Sequence, residues 1–541
     1  MGSFKENAFH NLEKHKYILW YAVCALCLGI IDQRRNSAVG NIQMLFANLI
    51  GLVVFFMLIP SMNKAFFALK QTKVWGCACV VVFIVAVVLF RSRKPYWGQW
   101  NAAALSCLCI ATLIIYIIWD RKNIFGEWRI SKVCFGTVML SLFLMLISIN
   151  NTIWPGFYLM LFGCFYLIGI PSNRREDFML GILVGMAAWF IGQQCLAFAF
   201  RPYDHTRYKG MYLGETQSGI FYMIAYCAFM GLWLYGQKKG WRRSLRILCF
   251  IMAAGCVSLL LLTGSKSSLL GAMAGTLMGY ISFDVIMRKS FKHWLMQAAL
   301  MGICALLLFP AAYGCVRYLP TVLHHPIWFD GEYNDEKSVR SFDPWNSERY
   351  VSFERAVNTN IGRILSTMKI NLRIKDGKLH ISTPLSIKSD AAEYIEPGSS
   401  REHPFIAESR KGDNEGQLDP ARIAIWSFFL RHLNFEGHNS LIFYYREDVL
   451  FGNAHNMFLH IAVLYGIIPG ILYLVWNFWC LLRMIRRRDM EGIVGAVFMT
   501  AIMTYGMFEQ ATTTGQITMS LLFLLYYYGM EILPRKGSVE G

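Results

Sequence analysis

Four stretches of the chain gather residue types that can hold an anion or move a proton. The strongest is FGNAHNMFLHIAVLYGIIPGILYLVW, Phe451 to Trp476. In it His455 and Asn456 stand where a polar segment enters an apolar one, and His460 follows a little over one turn later. An imidazole that reaches water exchanges protons near neutral pH and suits general acid–base work. The competing reading is a histidine–asparagine pair that caps a helix without doing chemistry. The second stretch, RPYDHTRYKGMYLGETQSG, packs Arg201, Asp204, His205, Arg207, Lys209 and Glu215 between two apolar runs. So dense a mixed cluster suits an anionic headgroup; ion pairing among its own members is the alternative. The third, LLLTGSKSSLLGAMAG, places Gly, Ser and Lys266 at a helix start, where N–H groups, hydroxyls and an ammonium converge on an anion. The alternative there is a tight helical hairpin whose Gly271, Gly275 and Gly279 form a packing stripe. The fourth joins Arg422, a cation at a helix start where it opposes the macrodipole and wants an anionic partner, to RHLNFEGHNS with Glu436 and His438.

These residues have to be positioned by membrane helices. Of the 541 residues, 55% are hydrophobic and only 16% charged, against roughly 25% charged in a soluble domain. That excludes an ordinary soluble protein, a disordered chain and a small disulfide scaffold. The 15 cysteines lie almost entirely in apolar runs and read as small hydrophobes. Cys24 and Cys27 have CxxC spacing with no second ligand pair nearby. The N-terminus offers neither a signal-peptide cleavage site nor a myristoylation signal, since Glu6 stands where Ser or Thr is needed.

A span needs about 20 apolar residues, and by that criterion about fourteen runs are expected to cross. They begin near Tyr17, Ile42, Val74, Ala102, Val133, Trp154, Phe178, Ile220, Leu245, Ser267, Trp294, Met457, Ile493 and Ile517. Basic clusters such as Arg174/Arg175, Lys238/Lys239/Arg242/Arg243 and Arg483/Arg486/Arg487/Arg488 recur at alternate loops, which puts both termini in the cytoplasm. Two outside loops, with Arg34/Arg35 and Arg91/Arg93/Lys94, break the rule. The net charge of +18 belongs to the membrane part, chiefly its cytoplasmic edge. It reads as anchoring to anionic lipid, not as nucleic-acid binding.

The expected organisation is therefore an all-α polytopic membrane protein, with helices in residues 1–316, one large extracytoplasmic loop over 317–454, and further helices in 455–541. Within the loop, KINLRIKDGKLHISTPLSI alternates apolar and polar residues around Asp-Gly and predicts a β-hairpin. Residues 389–418 are polar, with Pro and Gly, and read as a mobile segment. From Asp419 a helix is predicted with Ile423, Trp426, Phe429 and Leu430 on one face. All four chemistry-bearing stretches fall on the same, outer side.

Their order along the chain resembles the O-antigen ligase and O-antigen/capsule polymerase superfamily of membrane glycosyltransferases. The resemblance covers roughly Arg201 to Glu509. It rests on Arg-x-x-Gly in RYKG, a serine–basic turn in SKSS, an Arg before an aromatic helix and Gly turn in RIAIWSFFLRHLNFEGHN, His-Asn in HNMFLHIAVLYGIIPG, and a late Glu in FEQATT, Glu509. The chain departs from the pattern in three ways. GETQSG stands where Asn-Pro-Asn is usual, Lys266 stands where Arg is usual, and the loop carries the hairpin insertion. Lysine cannot clamp a phosphate bidentately.

The resemblance implies glycan transfer from an undecaprenyl-diphosphate-linked donor to a saccharide or lipid-linked saccharide acceptor, as in lipopolysaccharide or capsule assembly. The site would face outward from the cytoplasmic (inner) membrane, without metal or cofactor and with inversion at the anomeric carbon. It implies that His455 acts as general base and Arg207 as a catalytic cation. Lys266, Arg422, Arg201, Asn456, His438 and Glu215 would serve the diphosphate or substrate. A flippase or exporter of polyprenyl-linked oligosaccharides is the alternative, although a transporter should carry ionisable residues at mid-helix. A membrane scaffold with an exported binding loop is a third reading.

Overall fold

The computed structural model describes residues 15–31, 41–61, 76, 79–80, 97–120, 130–150, 154–203, 207–212, 214–287, 290–323, 351–362, 371–375, 378–382, 420–446, 449–509 and 517–532. Helices occupy the apolar runs: α1 His15–Ile31, α2 Asn41–Leu58, α3 Trp97–Trp119, α4 Lys132–Ile147, α5 Trp154–Ile168, α6 Arg175–Phe200, α7 Glu215–Lys239, α8 Arg243–Thr263, α9 Lys266–Met287 and α10 Phe291–Val322. Then come a short turn α11, Phe353–Ala356, the hairpin of β1 Asn371–Lys375 with β2 Lys378–Ser382, and α12 Pro420–Arg431. A second hairpin, β3 Phe443–Arg446 with β4 Val449–Phe451, leads to α13 Met457–Tyr465, α14 Ile467–Arg487, α15 Met490–Gly506 and α16 Ile517–Met530.

Among the described residues, six helical stretches are long and apolar enough to cross a membrane: Ser172–Phe200, Glu215–Lys239, Arg243–Thr263, Lys266–Val285, Lys292–Val322 and Ile467–Arg487, with seven shorter apolar helices beside them. The molecule is a helical membrane protein. The run near Val74 and the polar stretch 389–418 lie almost wholly outside the described residues. Three expectations need correction. The run from Met457 is not one helix. Gly466, at φ +104°, breaks it into α13 and α14, because Phe435 O lies 2.3 Å from where its Cβ would be and only glycine fits. Next, α10 continues to Val322, past the expected boundary at 316. Finally, α12 turns Phe429 inward beside Ile425 and Phe428, while Ile423 and Leu430 are exposed.

Burial separates the helices. The apolar part of α7 is entirely enclosed, and the side chains of α15 are almost all buried. In contrast, α14 leaves Ile468, Ile471, Val475, Phe478, Trp479 and Leu482 exposed. Their three- and four-residue spacing makes one apolar stripe, as a lipid-facing helix requires. The glycine stripe of α9 packs on α15. A Cβ at Gly271 would stand 2.7 Å from Ala501 O, and one at Gly279 2.9 Å from Val497 Cγ2. Small residues thus let two backbones approach where no hydrophobic effect drives helices together.

At the other end of the bundle Glu531, 3% exposed, pairs with Arg175 at 2.6 Å and Arg487 at 2.8 Å. Arg487 also meets Asp489 at 2.7 Å, whose side chain caps α15 at Gly492 N. Burial pushes the Glu531 carboxyl upward in pKa, and the Arg487 charge pulls it back.

Candidate active site

The loop after β4 sets His455. Asn453 Oδ1 accepts a hydrogen bond from His455 N at 2.8 Å, and His455 sits in the left-handed region at φ +46°. Trp426 of α12 donates its indole Nε1–H to His455 O at 3.4 Å. Asn456 then caps α13, its Oδ1 accepting from Phe458 N and Leu459 N, both at 3.0 Å. The Asn456 Nδ2 donates to Met507 O at 3.1 Å, which fastens the start of α13 to the end of α15. The capping reading of the His-Asn pair therefore holds for Asn456 and not for His455.

The imidazole turns instead to Glu509. His455 Nδ1 lies 3.1 Å from Glu509 Oε2, and Arg422 Nη2 lies 2.9 Å from Glu509 Oε1. One carboxylate is shared between an imidazole and a guanidinium. Its side chain is 12% exposed, against 37% for His455, so the acid is sheltered and the ring reaches outward. A carboxylate that accepts from Nδ1–H fixes the tautomer with the Nε2 lone pair free. Arg422, expected to seek an anion, has a protein carboxylate as one partner.

A second cluster gathers at the α8–α9 turn. Arg207 Nε donates to Thr263 O at 2.8 Å, and its Nη1 is 4.0 Å from Glu215 Oε2 at the start of α7. Tyr208 N donates to Leu262 O at 2.9 Å, laying the RYKG segment on the end of α8. Gly264 closes α8 at φ +59°; a Cβ there would be 2.8 Å from Asn360 Oδ1 and 3.2 Å from Arg207 Nε. Asn360 also donates to the Tyr203 hydroxyl at 2.9 Å, and burial pushes that phenol above its ordinary pKa range. Ser265 and Ser268 share a hydrogen bond of 2.8 Å, and Lys266 opens α9 with its side chain exposed.

Helix pairing relates the two clusters. Along α9, Gly279, Gly275 and Gly271 face Val497 and then Ala501 of α15, so the helices run antiparallel. Lys266 is five residues before Gly271 and Gly506 five after Ala501, about 7.5 Å of rise each. Lys266 and the end of α15, which leads to Glu509, therefore reach the same end of the pair, and packed helices stand about 8–10 Å apart.

Arg201 is 3% exposed and donates its Nε to Gly210 O at 2.8 Å, a bond that shapes the loop. His438 is held by a turn: its Nε2 lies 2.7 Å from His432 O and 3.2 Å from Asn434 Nδ2, and its N donates to Leu464 O. The geometry thus gathers His455 and Arg422 around Glu509, with Asn456 capping α13 beside His455, and Arg207, Glu215 and Lys266 around the turn. Arg201 and His438 support loops. The sequence pointed to Glu509 only through the family resemblance, and nothing in it marked Trp426 or Asn360 as neighbours of the two clusters. Comparison finds no match to a protein family, to a curated protein or to a solved structure.

Proposed function

We propose that this chain is a membrane glycosyltransferase of the O-antigen ligase and polymerase kind, transferring a glycan from undecaprenyl diphosphate to a saccharide acceptor at the outer face of the cytoplasmic membrane. The observation that carries the reading is the Glu509 carboxylate between His455 and Arg422, at the same end of the α9–α15 pair as Lys266. In this reading about fourteen apolar segments cross the bilayer, both termini are cytoplasmic, and the polar segment between α10 and α13 is exported.

The chemistry follows from the roles. Nε2 of His455 takes the proton of the acceptor hydroxyl, with Glu509 orienting the ring and stabilising the imidazolium that forms. The acceptor oxygen bonds to the anomeric carbon as the bond from that carbon to the phosphate oxygen breaks, and the configuration inverts. Undecaprenyl diphosphate leaves with the bonding pair, and Arg207 and Lys266 balance its charge. Arg422 holds the other carboxylate oxygen of Glu509 and presents its remaining N–H groups.

The test replaces His455, and separately Arg207, by Ala and follows surface glycan length and lipid-linked intermediates. Under this reading the protein still inserts, mature polymer disappears, and undecaprenyl-linked units build up on the outer leaflet. Accumulation on the inner leaflet supports the exporter instead, and normal glycan in both variants removes the mechanism.

A further inference from the structure

The described part of the exported region carries exposed apolar side chains that its own core does not use. Phe429, Leu441, Ala454 and Val463 form that small core. Leu430 is 55% exposed, Phe435 72%, Ile442 63% and Tyr444 70%. Strand alternation explains one of these: Phe443 packs on Phe429 and His438, so Tyr444 projects from the other face of β3, and Ile442 stands just before the strand.

The position of Phe435 identifies what this surface meets. Its neighbours in sequence are pinned to the outer ends of two bundle helices. Asn434 O accepts from Ile467 N of α14 at 2.9 Å, and Glu436 O accepts from Ile149 N, just past α4, at 3.2 Å. Phe435 therefore stands at the rim of the bundle, near Ile149, 42% exposed, and Ile468, 49% exposed. Ile468 begins the apolar stripe of α14, so Phe435 adjoins a surface already suited to lipid.

We propose that Leu430, Phe435, Ile442 and Tyr444 seat the exported region in the outer leaflet, the acyl–headgroup boundary being their partner. An amphipathic element buries its apolar face to just that depth, and an aromatic ring with one polar end belongs at the interface. The consequence rests on the function proposed above. Trp426 ties α12 to the His455 carbonyl, so seating this patch holds the imidazole at headgroup level, where the diphosphate of a polyprenyl lipid lies.

The test does not depend on turnover. A p-benzoyl-phenylalanine photocross-linker is placed singly at Phe435, Ile442, Ile471 of α14, and Ser352, an exposed polar position. The full chain is reconstituted in liposomes of phosphatidylethanolamine and phosphatidylglycerol, irradiated, and its adducts read by mass spectrometry. Acyl-chain adducts are expected at Phe435 and Ile442 as at Ile471, with few or none at Ser352. Lipid adducts at Ile471 but not at Phe435 and Ile442 overturn the proposal, as does a photoproduct joining Phe435 to a peptide of this chain or of a second copy. A Phe435→Ser variant should raise KM several-fold for a long-chain polyprenyl donor and leave a short, water-soluble donor unaffected. Equal effects on both donors remove the depth role, and lack of turnover in the unsubstituted protein faults the functional reading while the adducts still decide the seating.

Discussion

Replacing Glu509 by Gln tests the shared carboxylate directly. Glu509 accepts from Arg422 Nη2 at 2.9 Å and from His455 Nδ1 at 3.1 Å. A carboxamide of the same size has one accepting end and one donating end. Whichever way it turns, its NH₂ faces either the guanidinium or the imidazole N–H, so at least one contact is lost. A hydrogen bond to a charged group contributes about 1.5–3 kcal/mol, a loss of roughly 10- to 150-fold in rate if it acts in the transition state. If the His455 side is lost, the ring can adopt the wrong tautomer, and the deficit grows toward about 10⁴-fold. Stability should change little, because the Arg422 side chain is 29% exposed and can turn to water. The assay is turnover of a lipid-linked donor in proteoliposomes, beside thermal unfolding of the same preparation. A Glu509→Gln protein with unsubstituted activity refutes the base–orienter reasoning. So does a His455→Ala/Glu509→Gln double variant whose losses multiply, since residues acting as one unit are non-additive.

Other consequences can be checked separately. Gly264→Ala puts a Cβ 2.8 Å from Asn360 Oδ1 at a positive φ; about 1–2 kcal/mol of backbone strain is expected, with displacement of Arg207 read as weaker donor binding in a chain that still inserts. Gly271→Leu forces α9 from the Ala501 carbonyl and should lower the melting temperature by the equivalent of about 1–3 kcal/mol, with activity falling too if the pairing aligns the clusters. Glu531→Ala leaves Arg487 and Arg175 without their buried partner, a loss of about 3–5 kcal/mol visible as aggregation on size-exclusion chromatography.

Local features were legible because local physics fixes them. Apolar length placed helices at most runs, alternation around Asp-Gly placed β1 and β2, and small-residue spacing placed the stripe that packs α9 on α15. The break at Gly466 was not legible, because it arises from the approach of Phe435, 31 positions earlier, and not from the local apolar pattern. The residues expected to share one face of α12 divide for a related reason, Phe429 being buried while Ile423 and Leu430 are exposed. Periodicity marks an apolar side, but with lipid and core both apolar it cannot say which side turns inward.

The site divides along the same line. By itself the sequence determined that the chain is a membrane protein and picked out cations and an imidazole close to the openings of its helices. Only the tertiary structure decided their partners: that Glu509 joins His455 and Arg422 across separations of 54 and 87 residues, and that His438 belongs to a turn. Contacts at that range depend on how helices pair and at what register, and residue spacing along an apolar helix carries no record of its neighbour.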